Sequence, residues 1–177
     1  MNKELINQYI QLHNSQLGYG ANYNEGKWHQ DFLDLLKEKK CKTVLDFGCG
    51  KGGVVDELNK LSYDAVGYDP AVDKFKNFPT GFYDAILCTD VLEHLEEETF
   101  HEELNQIKNK NPKLIYFNVA YEKAHTLLPN GLNCHTLIKN KEWWAENLIS
   151  FYDTYEPIRE KDYPWGSKSI VVAFIKK

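Results

Sequence analysis

No internal repeat, no low-complexity tract and no Pro-, Gly- or Ser-rich linker divides the 177 residues, so a single domain is expected. Cysteine is sparse. Cys41, Cys49, Cys88 and Cys134 form no C-x-x-C pair and no disulfide-like framework, which predicts reduced thiols. Long apolar runs are missing as well. The best of them, Ile170 to Ile175, is strand-sized, far short of the roughly 20 residues of a membrane span. The start, MNKELINQYIQLHNSQ, lacks the apolar core of a signal peptide, so a cytoplasmic protein with no membrane partner is expected. Positive charge is in deficit. A net charge of -5 argues against a broad phosphate-binding surface and makes nucleic acid an unexpected partner. The cluster Lys37-Glu38-Lys39-Lys40 reads as a solvated helix end, where cations suit the dipole.

What is present is an ordinary globular composition, 42% apolar and 27% charged, in a chain long enough to bury a core. Leu5, Ile6, Tyr9, Ile10 and Leu12 recur with helical spacing, and Gln16 to Trp28 breaks that pattern with glycines and aromatics. A second helix carries Trp28, Phe32, Leu35 and Leu36 on one face. Strands are predicted at Lys42 to Phe47, Ala65 to Tyr68, Tyr83 to Cys88 and Lys113 to Val119. Helices are predicted at Val54 to Leu61, from the turn after Cys88 to about Asn109, and at Glu142 to Phe151. Tyr121 to Lys139 reads as a long irregular loop. Tyr152 to Ile158 and Ser169 to Lys176 form a closing antiparallel hairpin. Alternating strands and helices imply an α/β fold whose mainly parallel sheet is covered on both faces.

The stretch VLDFGCGKGG, Val44 to Gly53, places Gly48, Gly50 and Gly53 in a G-x-G-x-x-G pattern between a strand and a helix. Such a turn brings backbone N–H groups to a ligand at a helix N-terminus, and Asp69 ends the next strand at the distance where an acid bonds ribose hydroxyls. NAD and S-adenosylmethionine (SAM) are equally well served up to this point. Asp46 separates them. A carboxylate two residues ahead of Gly48 would repel a pyrophosphate and attract the amine and sulfonium of SAM. The chain is also small for a cofactor domain plus a separate substrate domain.

VLDFGCGKGG, VGYDP and YDAILCTDVLEHL resemble motif I, the ribose-binding acid and the fourth-strand motif of class I SAM-dependent methyltransferases, from about Lys42 to Ile175. YDPAV, CTDVLEHL, the Leu128 to His135 stretch and the Trp143-Trp144 pair resemble, more narrowly, a compact group of bacterial and phage enzymes. The resemblance implies a Rossmann-like sheet with a C-terminal antiparallel strand. It implies SAM as cofactor, and one domain over residues 1–177 whose first 40 residues form a helical cap or lid. One departure is visible: the residues between Asp69 and Asp84 are too few for the family's helix, third strand and helix. The edge strand is therefore expected to be missing or vestigial, with Phe75 and Phe78 either touching adenine or plugging the sheet edge.

The resemblance assigns the donor side to Asp46, Gly48, Cys49, Gly50, Asp69, Pro70, Thr89, Asp90, Val91 and His94, with Tyr19 and Gly20 folding over SAM. The alternative for Tyr19 and Tyr23 is packing between the first two helices. Glu93-His94 is expected to open a helix. The acceptor is expected beyond the carboxyl ends of the strands around Val44 and Ile86, near Asn118 and the loop holding His125 and His135. A histidine is suited to proton transfer near neutral pH, so His135 and His125 are the candidate catalytic residues; a structural hydrogen bond is the alternative for each. His125, Cys134 and His135 match no standard zinc spacing and lack an evident fourth ligand, so no metal is expected. Trp143 and Trp144 either flank the acceptor or divide between core and surface, and Trp165 is a rim candidate. The expected reaction is methyl transfer to an O or N atom of a small molecule or saccharide. An NAD-binding oxidoreductase and a non-catalytic SAM-fold module are the alternatives.

Overall fold

The computed structural model describes residues 2–20, 28–162 and 168–177, and the side chains at 28, 29 and 158–162 are outside that description. Tyr23, Trp165 and the Trp28 side chain therefore lie outside the described residues. The chain runs α1 (Lys3–Ser15), α2 (Trp28–Glu38), β1 (Thr43–Phe47), α3 (Gly53–Lys60), β2 (Asp64–Tyr68) and β3 (Ala85–Thr89). A 3-10 turn (Leu92–His94) leads to α4 (Glu97–Asn109), β4 (Leu114–Ala120), α5 (Lys141–Phe151), β5 (Tyr155–Asp162) and β6 (Ser169–Lys176).

Six strands make one sheet in the order β2-β1-β3-β4-β6-β5. The first four are parallel, and β6 runs antiparallel to both neighbours. Period-2 alternation sorts the strand residues into two cores. Leu45, Phe47, Ile86, Ile115 and Phe117 pack with Phe100 and Leu104 of α4 and with Trp144 and Leu148 of α5. Val44, Ala85, Leu87 and Tyr116 pack with Phe32 and Leu36 of α2 and with Val55 and Leu58 of α3. β3 and β4 are buried on both faces, which is why they read as continuous apolar runs.

α1 joins neither layer. Its apolar stripe, Leu5, Tyr9 and Leu12, packs on Ala71, Leu128 and Cys134 at the carboxyl ends of the strands. Asn2 caps it, accepting from the Leu5 amide at 2.9 Å. Because β2 is the sheet edge, the third strand of the wider fold is missing. Residues 70–84 form turns instead, and Phe75 and Phe78 close the two faces of that edge. Phe75 lies over Gly52 and Gly67, while Phe78 meets the Tyr68 ring edge-on at 4.8 Å.

One expectation is corrected here. Glu93-His94 does not open the helix: the chain makes a 3-10 turn, passes through extended Leu95, and starts α4 only at Glu97. Burial of Glu93 forces the break. Its Oε1 accepts from the Ala120 amide at 2.9 Å and its carbonyl from the Leu137 amide at 2.9 Å, so this residue belongs to the end of β4 and the loop beyond it.

Candidate active site

The parallel order reverses between β1 and β3, and a crevice opens at their carboxyl ends. It holds a cavity of about 350 Å³. Every one of the twelve donor-side candidates lines it: Tyr19, Gly20, Asp46, Gly48, Cys49, Gly50, Asp69, Pro70, Thr89, Asp90, Val91 and His94. Four further residues complete the wall, namely Tyr9, His13, Val54 and Ala71. Tyr9 is legible in the sequence only as part of the apolar stripe of α1. His13, one turn further along that same stripe, is the polar interruption that could have marked a cavity-facing helix.

The glycine turn differs from the expected array of outward N–H groups. The amides of Gly48 and Cys49 both donate to the Tyr68 carbonyl, at 2.7 and 3.0 Å. Gly50 donates to Oδ2 of Asp69 at 2.9 Å, and Lys51 to the Gly20 carbonyl at 2.7 Å. These four donors are spent on holding β1, β2 and the segment after α1 together. What the glycines contribute to the cavity is close approach. Gly48 has φ +80° and a Cβ there would run into the Val91 side chain; Gly50 has φ +53° and a Cβ would run into the Gly20 carbonyl.

Acidic groups dominate the polar lining. Asp69 accepts from Gly50 and, through Oδ1, from Ala71 at 2.9 Å, which occupies two of about four acceptor positions on a carboxylate. Asp46 is 3% exposed and has no hydrogen-bond donor among the described residues. Burial, with Asp69 nearby, pushes its pKa up to about 7. Burial likewise lifts Asp90 to about 6. Asp90 sits at φ +54°, unusual for a residue with a side chain, and is held there by its amide on the Asn118 carbonyl at 2.9 Å. Behind it, burial first and the Asp90 charge second hold Glu93 far above the usual carboxylate range.

The histidines divide. His94 is at the cavity wall, and burial above all, with His135 next, pushes its pKa down to about 3. His13 is also lowered by burial, against the pull of Asp69, and its Nδ1 has no partner among the described residues. His135 does not line the cavity. It is half-buried in the layer behind, with its ring 4.9 Å from that of His94 and its Nδ1 bonded to the Glu122 carbonyl at 2.6 Å. His125 is exposed and away from the cavity. Trp144 is core and Trp143 half-buried against Phe100, so the pair divides between core and surface rather than flanking this cavity.

A family model, the methyltransferase domain, matches residues 21–153. The chain belongs to that family. As a class I methyltransferase it uses SAM as its methyl donor, and a nicotinamide oxidoreductase is ruled out as the reading of the glycine turn. No curated protein matches the sequence.

Solved structures do match this methyltransferase. The methyltransferase domain of bacterial CtHen1-CN is 22% identical with a TM-score of 0.61, over 87% of this chain and 100% of that one. The 1,6-didemethyltoxoflavin-N1-methyltransferase of Burkholderia thailandensis, solved with 1,6-didemethyltoxoflavin and S-adenosylhomocysteine, is 14% identical with a TM-score of 0.70, over 98% and 89%. N-methyltransferase NodS of Bradyrhizobium japonicum WM9, in complex with S-adenosylhomocysteine, is 13% identical with a TM-score of 0.58, over 96% and 98%. At these identities the likeness is one of fold.

Proposed function

We propose that this methyltransferase moves a methyl group from SAM to an oxygen or nitrogen of a small molecule or saccharide. The observation that carries the reading is the cavity at the β1/β3 reversal. Its walls are acidic, and its volume of about 350 Å³ is near the lower end of the roughly 300–1,000 Å³ of ligand sites. Such a space takes the donor and leaves the acceptor a small group or the mouth. Two structural neighbours are N-methyltransferases, one of them solved with a small-molecule ligand, which supports the same class of acceptor.

The donor set fits SAM. Asp46 is a buried carboxylate awaiting a cation, and Asp69 keeps acceptor positions for hydroxyl groups. The cap is the first helix and the segment after it: α1 closes the cavity through Tyr9 and His13, and Tyr19-Gly20 lies against the glycine turn, while α2 packs on the sheet. SAM supplies, when bound, a methyl group on a sulfonium centre, displaced in line. The chain's part is orientation and exclusion of water, for which holding two reactants together is worth roughly 7–11 kcal/mol.

Proton removal, where the acceptor needs it, falls to Asp90. Unlike His125 and His135 it lines the cavity, and unlike His94 it titrates near neutral pH. The experiment is calorimetric titration with S-adenosylhomocysteine followed by an acceptor screen with labelled SAM. Asp90→Asn should bind S-adenosylhomocysteine within a few-fold of the native protein and lose about 10²-fold or more in turnover on an acceptor that arrives protonated. Undiminished turnover on such an acceptor would remove Asp90 from that role.

A further inference from the structure

Three potential ligands that are far apart in sequence meet behind the cavity wall. The thiol of Cys134 and one ring nitrogen each of His94 and His135 lie within 4.8 Å of one another. The sequence spacing conceals this group, because the partner of Cys134 and His135 is His94, from the 3-10 turn after β3, and not the nearby His125.

Both imidazoles are anchored through Nδ1 to a backbone carbonyl. His94 Nδ1 donates to the Cys134 carbonyl at 2.8 Å, and His135 Nδ1 donates to the Glu122 carbonyl at 2.6 Å. A ring with its proton held on Nδ1 presents Nε2 as a lone pair, the outer-sphere arrangement of metal-bound histidines. Tyr9 reinforces the first anchor by donating to the same Cys134 carbonyl at 2.6 Å. The Cys134 side chain bonds that of Tyr19. His94 and Tyr19 line the cavity while Cys134 and His135 lie in the layer behind it, so His94 is the member through which the cluster meets the cavity.

We propose that His94, Cys134 and His135 bind a zinc ion, leaving the fourth position open towards the cavity for the acceptor. One thiolate and two imidazoles suit Zn²⁺, and three protein ligands with an open position are the pattern of reactive rather than structural zinc. Metal–nitrogen bonds of about 2.0–2.1 Å and a metal–sulfur bond of about 2.3 Å require the donor atoms to draw roughly 1 Å closer together. Cys134 and His135 sit on the irregular segment between β4 and α5, and His94 ends the 3-10 turn after β3. Loading releases the Cys134 proton to solvent. The ion then anchors the acceptor's oxygen or nitrogen beside the donor, a role that rests on the methyltransferase reading; the binding of zinc does not.

The test is titration of the chelator-treated full chain with Co²⁺, followed by Zn²⁺ competition. One equivalent should bind with a thiolate-to-cobalt charge-transfer absorption that Zn²⁺ abolishes. Cys134→Ser should lose that absorption, and His135→Ala should weaken binding tenfold or more with the fold intact by circular dichroism. Absence of the band in the native protein, or equal affinity in His135→Ala, overturns the proposal. S-adenosylhomocysteine binding, measured in the same metal-free protein, separates the two readings: its absence counts against the donor site and leaves the cobalt result standing.

Discussion

Asp46 is a buried carboxyl in the wall of the cavity. A carboxyl whose ordinary pKa is near 3.8 and which burial lifts to about 7 is stabilised in its neutral form by folding. The folded state binds this proton more tightly than the unfolded state, so its contribution to stability is greatest at low pH and is lost as pH rises from about 4 through about 7. A cationic ligand inverts the preference by favouring the carboxylate. Calorimetry should therefore find S-adenosylhomocysteine, through its ammonium group, binding more weakly as pH falls through about 7, with proton release at neutral pH. Asp46→Asn should flatten that dependence; an unchanged profile would place the ammonium elsewhere.

At the scale of elements, the crevice depends on how three segments are tied together. The Asp69 carboxylate joins the end of β2 to Gly50, and the Gly20 carbonyl joins the segment after α1 to Lys51. Gly50→Ala puts a methyl group against the Gly20 carbonyl in a left-handed backbone position, so the segment must move away from the turn. The expected result is a fall of about tenfold or more in S-adenosylhomocysteine affinity by calorimetry. The sheet packs independently of that contact, so far-ultraviolet circular dichroism should be retained. Gly18→Ala is the control, since a Cβ there meets nothing within 4 Å.

For the whole molecule, the surface charge and the cavity point the same way. A net charge of -5 and a cavity wall holding Asp46, Asp69 and Asp90 are the reverse of a phosphate-tracking surface. No described helix is long and apolar enough to cross a membrane. A labelled single-stranded oligonucleotide should show no saturable binding by anisotropy at physiological salt. Binding that weakens log-linearly with added salt would move the acceptor to the nucleic acids.

The sequence by itself determined the strands, most of the helices and which residues meet at the crevice after the glycine turn. Alternation and glycine turns are local signals, and they fix the strands of a sheet whose two faces are both buried. That the twelve candidates line one cavity was legible for those after β1, β2 and β3, because short motifs at neighbouring strand ends open on the same crevice; Tyr19 and Gly20 reach it through the placement of α1. The shortened edge was legible from a count of residues between Asp69 and Asp84. Tertiary structure decided the rest. Tyr9 and His13 reach the cavity only because α1 folds over the strand ends instead of onto the sheet. Glu93 breaks the predicted helix because its partner, the Ala120 amide, comes from the next strand. The same long-range packing sets His94 beside Cys134 and His135 and leaves His125 in solvent. Such contacts join residues from 27 to 125 positions apart, separations over which no local periodicity carries information.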